Sequence, residues 1–154
     1  MSGARLLIDA DACPVVEIAL REAKARGVEA LLVCDDAHEM RREGARTVTV
    51  ARGANSADLR LVNLLKPGDI VVTQDYGLAA LCLARAARVL DQNGRIYDEG
   101  NIDALLGMRH LAAKARRAGG RVKGPPRRRS EQDEAFRLAL EEMLDGTGEN
   151  VTHL

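Results

Sequence analysis

The stretch Leu6-Leu7-Ile8-Asp9-Ala10-Asp11-Ala12-Cys13-Pro14 leaves the chain few ways to fold. Leu6, Leu7 and Ile8 show no polar alternation, so they suit a strand buried on both faces, as in a parallel sheet covered by helices. Pro14 has the fixed φ, and lacks the N–H, of a first helical residue. A strand ending at Asp9 and a helix beginning at about Pro14 are therefore expected. In open α/β sheets such turns lie at the carboxyl ends of the strands, where ligands bind. Two carboxylates beside a dry core lose hydration, and a cation would relieve that cost.

The same punctuation recurs. Glu29 to Cys34 reads as a second strand, apolar from Ala30 to Val33, ending in Asp35 and Asp36, and Thr47 to Val50 is a β-branched third strand. Ile70-Val71-Val72 forms a fourth, closing in Thr73-Gln74-Asp75, and Arg88 to Leu90 a fifth, ending at Asp91 before an Asn93-Gly94 turn and Ile96-Tyr97. Between them, helices are expected over 14–26, 56–65, 77–87 and 101–117, with a loop or short helix over 38–46. Asp58 lies in a first helical turn, on the apolar side with Ala57, Leu61, Val62 and Leu65, and so faces the sheet edge that carries Asp9 and Asp11. Its ordinary role would be to cap that helix with Asn55, and Asp75 likewise suits an N-cap. Asp91 suits the turn.

Composition narrows the partners. The 154 residues fit one domain with a real core, and 23 basic residues balance 23 acidic ones, so any attraction to polyanions must be local. Such a locality exists: Lys114 to Arg129 holds Lys114, Arg116, Arg117, Arg121, Lys123, Arg127, Arg128 and Arg129 among glycines and prolines, without an acid. Arg109 falls within an apolar helix face, where it either bridges a carboxylate or meets a phosphate. One Phe, two Tyr and no Trp give little means of stacking bases. Cys13, Cys34 and Cys82 lack zinc spacing; Cys34 and Cys82 read as core residues. No apolar run approaches membrane-spanning length and no secretory leader is visible, so a cytoplasmic chain is expected. The organisation reads as an α/β domain over 1–117, a flexible basic linker over 118–129, a docking helix over 130–145 capped by Ser130 with Asp133, and a disordered tail over 146–154.

Four acids from three strand-to-helix junctions, if crowded, either take up protons or hold a divalent ion. Oxygen ligands without His or paired Cys favour Mg²⁺ or Mn²⁺ over zinc. Asp9 and Asp75 are assigned as ligands; Asp11 and Asp58 either complete a second ion site or orient an attacking water. Arg109, Arg127, Arg128 and Arg129 would hold a nucleic-acid backbone, RNA or another single strand.

Asp9-Ala10-Asp11-Ala12-Cys13-Pro14-Val15, Gly53 with Ala57-Asp58, Pro67-Gly68-Asp69, Thr73-Gln74-Asp75, Asn101-Ile102, Met108-Arg109 and Gly124-Pro125-Pro126 closely resemble the bacterial YaiI/YqxD family, which is itself similar to PIN-like nuclease domains. The resemblance runs from about Arg5 to Leu144. It implies a three-layer α/β/α fold with a central, mainly parallel sheet, and an acid cluster at Asp9, Asp11, Asp58 and Asp75 that holds Mg²⁺ or Mn²⁺ for phosphodiester hydrolysis. Two other readings stay open. Asp9-x-Asp11 after a strand also looks like the nucleophile motif of haloacid dehalogenase-type phosphatases, and a module that binds RNA or a partner without catalysis would keep the fold alone. A thiol mechanism through Cys13 is opposed by the neighbouring carboxylates.

Overall fold

The computed structural model describes residues 3–35, 41–51, 56–119 and 127–149. Six strands, β1 (Leu6–Asp9), β2 (Ala30–Asp35), β3 (Arg46–Val50), β4 (Ile70–Val72), β5 (Arg88–Leu90) and β6 (Ile96–Tyr97), form one sheet in the order β3-β2-β1-β4-β5-β6. The first five run parallel and β6 pairs antiparallel to β5. The helices are α1 (Val16–Ala25), α2 (Ser56–Leu64), α3 (Tyr76–Ala84), α4 (Glu99–Arg117) and α5 (Ser130–Glu149).

Strict alternation along the strands divides the core in two. Leu6, Ile8, Leu32, Ile70 and Val72 face one side, against Val16, Ala19 and Ala23 of α1 and Phe136, Leu140 and Met143 of α5. Leu7, Leu31, Val33, Val71 and Val89 face the other, against α2, α3 and α4. Handedness explains the layering. The connection from β1 to β2 moves one way across the sheet; those from β3 to β4 and from β4 to β5 move the other way. Right-handed crossovers then place α1 on one face and α2 and α3 on the opposite one. The direction reverses between β1 and β4, and in open α/β sheets ligands bind at such a reversal, outside the carboxyl ends of the two strands.

At the other edge, Asp69 is 2% exposed and anchors the start of β1. Its carboxylate accepts from the Arg5 guanidinium at 2.7 Å, from the Arg5 backbone N–H at 3.2 Å and from the Lys66 N–H at 2.9 Å. The Pro67-Gly68-Asp69 turn is thus a structural clasp, with Gly68 in the left-handed region at φ +87°.

Several boundaries differ from expectation. Helix α1 begins at Val16 rather than Pro14, with no side-chain cap, because Ala12 takes a left-handed conformation (φ +58°) and a Cys13 N–H to Ala10 carbonyl turn intervenes. Helix α3 starts at Tyr76 and ends at Ala84, short of Ala87, where Ala86 turns left-handed (φ +63°). Ser130 and Asp133 do not cap α5: the Gln132 side chain accepts from the Arg129 N–H at 2.7 Å, and Asp133 takes the Arg128 guanidinium. Helix α5 also continues to Glu149, four residues into the stretch expected as a tail, and is held by the buried Leu144 and by Arg26 on Asp145 at 2.7 Å. Asn55, residues 38–40 of the 38–46 stretch, residues 120–126 of the linker and the residues from 150 onward lie outside the described residues, while 41–45 form a loop with no helix. Among those described, no helix is long and apolar enough to cross a membrane.

Candidate active site at the strand reversal

Asp9 ends β1 two residues after Leu7, and so points to the face covered by α2 and α3. The register Ile8 opposite Val72 sets it beside Thr73, just past β4. The Thr73 hydroxyl donates to Asp9 Oδ2 at 2.8 Å and accepts the Asp75 N–H at 3.0 Å. The Asp75 carboxylate accepts the Leu78 N–H at 3.1 Å as the N-cap of α3. On the inner side, the Tyr97 hydroxyl donates to the Thr73 carbonyl at 3.3 Å, and its ring meets Tyr76 edge-on at 6.2 Å. Asp11 instead turns toward β2, where its carboxylate accepts the Asp35 N–H at 3.1 Å.

These placements act on one another. Burial, followed by the charges of Asp58, Asp11 and Asp75, pushes the Asp9 carboxyl from 3.8 up to about 6, against the lowering effect of the Thr73 hydroxyl. Cys82, buried on α3, is pushed up to about 12 by burial and by Asp9 and Asp58. Asp9 thus feels all three of its sequence-predicted companions, from the turn after β1, from α2 and from the start of α3. Among the described residues, however, no three His, Cys, Asp or Glu side chains stand at the spacing of a ready-made metal cage. Asp91 is occupied by its turn, accepting the Asn93 and Arg95 N–H groups at 2.8 and 2.9 Å.

Cys13 lies next to Asp9, half-buried, and burial raises its thiol pKa, with Asp9 adding to the rise and Arg128 opposing it. A protonated sulfur is a poor nucleophile. Arg128 is engaged within the protein: it donates to Asp133 and Asn93, both at 2.7 Å, and to the Gln92 carbonyl at 2.6 Å. Arg127 and Arg129 are exposed, while Arg109 lies on α4 and its side chain falls outside the described residues. Thr73, Gln74, Gln92 and Tyr97 were not among the site residues expected from sequence; Thr73 and Gln74 stand in the Thr73-Gln74-Asp75 motif between a strand end and an expected site acid, and that is the signal that points to them. A larger concavity of about 600 Å³ beside α5, lined by Glu141, Glu142 and Asp145, lies apart from these groups.

The family model described as "Uncharacterized BCR, YaiI/YqxD family" matches residues 7–146. A UPF0178 protein of Exiguobacterium sibiricum is 50% identical over 140 residues, covering 91% of this chain and 96% of its own length. UPF0178 proteins of Ruminiclostridium cellulolyticum and Clostridium acetobutylicum are 48% and 42% identical, covering 88% and 91% of this chain and 89% and 96% of theirs. No solved structure gives a significant match. With nearly its whole length matched in this way, the chain belongs to the YaiI/YqxD family.

Proposed function

We propose that the crevice between β1 and β4 is the active site of a divalent-metal-dependent nuclease that hydrolyses phosphodiesters in RNA, as the resemblance to PIN-like domains implies. One observation carries the reading: at the strand reversal Asp9 and Asp75 are joined through the Thr73 hydroxyl, which donates to the Asp9 carboxylate at 2.8 Å and accepts the Asp75 N–H at 3.0 Å, and burial with the charges of Asp58, Asp11 and Asp75 raises the Asp9 carboxyl to about 6. The donor set is all oxygen. That suits Mg²⁺ or Mn²⁺, and Mg²⁺ characteristically binds through one or two carboxylates, waters and substrate phosphates rather than a full protein cage. Asp9 and Asp75 are the residues that would hold the ion, with Asp58 and Asp11 contributing charge around it. When bound, the ion supplies positive charge against the developing charge on the phosphate and acidifies a water.

The chain's own groups prepare the site. The Thr73 hydroxyl, its acceptor side taken by the Asp75 N–H, directs its proton to Asp9 and favours the ionised carboxylate. Arg127 and Arg129, exposed at the start of α5, are placed in this reading to meet substrate phosphates. The test is a Mn²⁺ titration of the wild type and Asp9→Asn, followed by cleavage of a mixed RNA pool. Loss of Mn²⁺ affinity and cleavage together is expected; equal affinity in the variant refutes the ligand assignment.

A further inference from the structure

A second concavity, of about 280 Å³, adjoins the acids and shares Pro14, Gln74 and Gln92 with the small cleft at Asp9, Cys13 and Thr73. We propose that it is a nucleobase-recognition subsite, which receives one base of the strand whose phosphate meets Asp9. The inference rests on the phosphodiester reading above and extends it to base selection.

The lining is chemically unusual. Four carboxamides, Gln74, Gln92, Asn93 and Gln132, converge there with Arg128. A carboxamide offers an acceptor beside a two-proton donor, the pattern that pairs with the edges of bases. Three of them are fixed by one end. The Gln74 amide nitrogen donates to the Ala12 carbonyl at 3.1 Å, the Asn93 oxygen accepts from Arg128 at 2.7 Å, and the Gln132 oxygen accepts the Arg129 N–H at 2.7 Å. Each held amide keeps its other end for a ligand, in a set orientation. The fourth supplies the independent observation: Gln92 Oε1 is sealed from solvent and has no hydrogen-bond partner among the described residues. A buried acceptor in that condition is costly, and an N–H of a seated base would relieve it once the Gln92 side chain turns that oxygen toward the cavity it lines.

Size and shape agree. The volume falls just below the roughly 300–1,000 Å³ typical of pockets for drug-sized ligands, which suits one planar heterocycle rather than a whole nucleotide. The Pro14 ring and Ala12 give an apolar wall in a chain with few aromatic side chains. Arg128 acts as a positioning residue here, since its bonds to Asp133, Asn93 and the Gln92 carbonyl lock the start of α5 against the turn after β5. Gly94 permits that approach: its φ is +87°, and a Cβ there would fall 2.5 Å from the Ala135 carbonyl oxygen.

The experiment measures binding of 2′-O-methyl homotetramers of A, C, G and U to the full chain in EDTA, for the wild type and for Gln92→Met, which keeps the shape and removes the orphaned oxygen. One tetramer should bind at least fivefold tighter than the weakest. Gln92→Met should compress that spread below twofold, with affinity for the weakest tetramer unchanged and a melting temperature no lower than wild type. Four tetramers binding within twofold of one another, none binding, or a preference that survives Gln92→Met overturns the subsite. Because neither metal nor cleavage enters the assay, its result stands apart from the nuclease reading. Conversely, Mn²⁺-dependent cleavage without base preference removes the subsite and leaves the nuclease. A Gln92→Met protein that melts lower is replaced by Gln74→Leu, held to the same criteria.

Discussion

Replacing Asp9 with Asn should stabilise the metal-free protein, and by an amount that depends on pH. The Asp9 carboxyl is raised from 3.8 to about 6 in the folded chain, so it is an acid that folding holds back from ionising. Below about pH 3 it is protonated whether folded or not, and contributes no penalty. As pH rises through 3.8 the unfolded chain releases its proton while the folded chain keeps it, and stability falls until about pH 6, beyond which the deficit is constant. About two pH decades at about 1.4 kcal/mol each give roughly 3 kcal/mol. Asn has nearly the same shape, still accepts the Thr73 hydroxyl and does not titrate. Urea denaturation in EDTA should therefore find the two proteins alike near pH 3 and the variant about 3 kcal/mol more stable at pH 8. At about 2 to 4 °C per kcal/mol for a chain of this size, that is some 6 to 12 °C in melting temperature. Mn²⁺ at a hundredfold over its dissociation constant should return about 2.7 kcal/mol to the wild type alone and nearly close the gap. A difference that does not grow between pH 4 and pH 7, or a variant less stable at pH 8, would show that Asp9 is not held in a strained, anionic crevice.

Thr73→Val removes the hydroxyl that favours ionised Asp9 and leaves the Asp75 N–H without its acceptor; the Asp9 titration followed by carboxyl NMR should move above its wild-type midpoint, with about 1 to 3 kcal/mol of stability lost. Asp69→Ala breaks the buried pair with Arg5 at the opposite sheet edge and should cost about 3 to 5 kcal/mol by denaturation. Its Mn²⁺ affinity should stay at the wild-type value under conditions where it is folded, and a parallel loss of affinity would contradict the separation of the two edges. Arg127→Gln and Arg129→Gln should each lower the slope of log affinity against log salt for RNA by about 1, weakening all sequences alike. Slopes equal to wild type would remove those arginines from the nucleic-acid contact.

Much of this arrangement was legible because parallel strands covered on both faces must be written as continuous apolar runs. Leu6 to Ile8, Ala30 to Cys34 and Ile70 to Val72 are such runs, and all are buried in the sheet. The acids that follow them had to lie along one rim, since parallel strands end at the same edge. Asp58 could be read as facing inward because a helical turn converts sequence spacing into direction. Features that depend on backbone conformation without a glycine were not legible: Ala12 and Ala86 are left-handed with no residue type to announce it, and they moved the start of α1 and the end of α3. The basic run also concealed a distinction. Arg127, Arg128 and Arg129 are alike in sequence, yet only Arg128 meets Asp133, Asn93 and the Gln92 carbonyl.

Thr73 marks the limit of reading along the chain. Its bond to Asp9 joins residues 64 apart, and it exists because β4 pairs directly with β1 although β2 and β3 intervene in sequence. That pairing is the reversal of strand order itself. The same event that opens the crevice therefore brings a hydroxyl donor against the most perturbed carboxylate in it, and aligns the Asp75 amide behind that hydroxyl. A single substitution at Thr73 consequently tests both ideas at once: if Asp9 keeps its titration midpoint in Thr73→Val, the crevice sets its acidity through burial and charge alone, and the hydrogen-bonded relay from Asp75 has no part in preparing it.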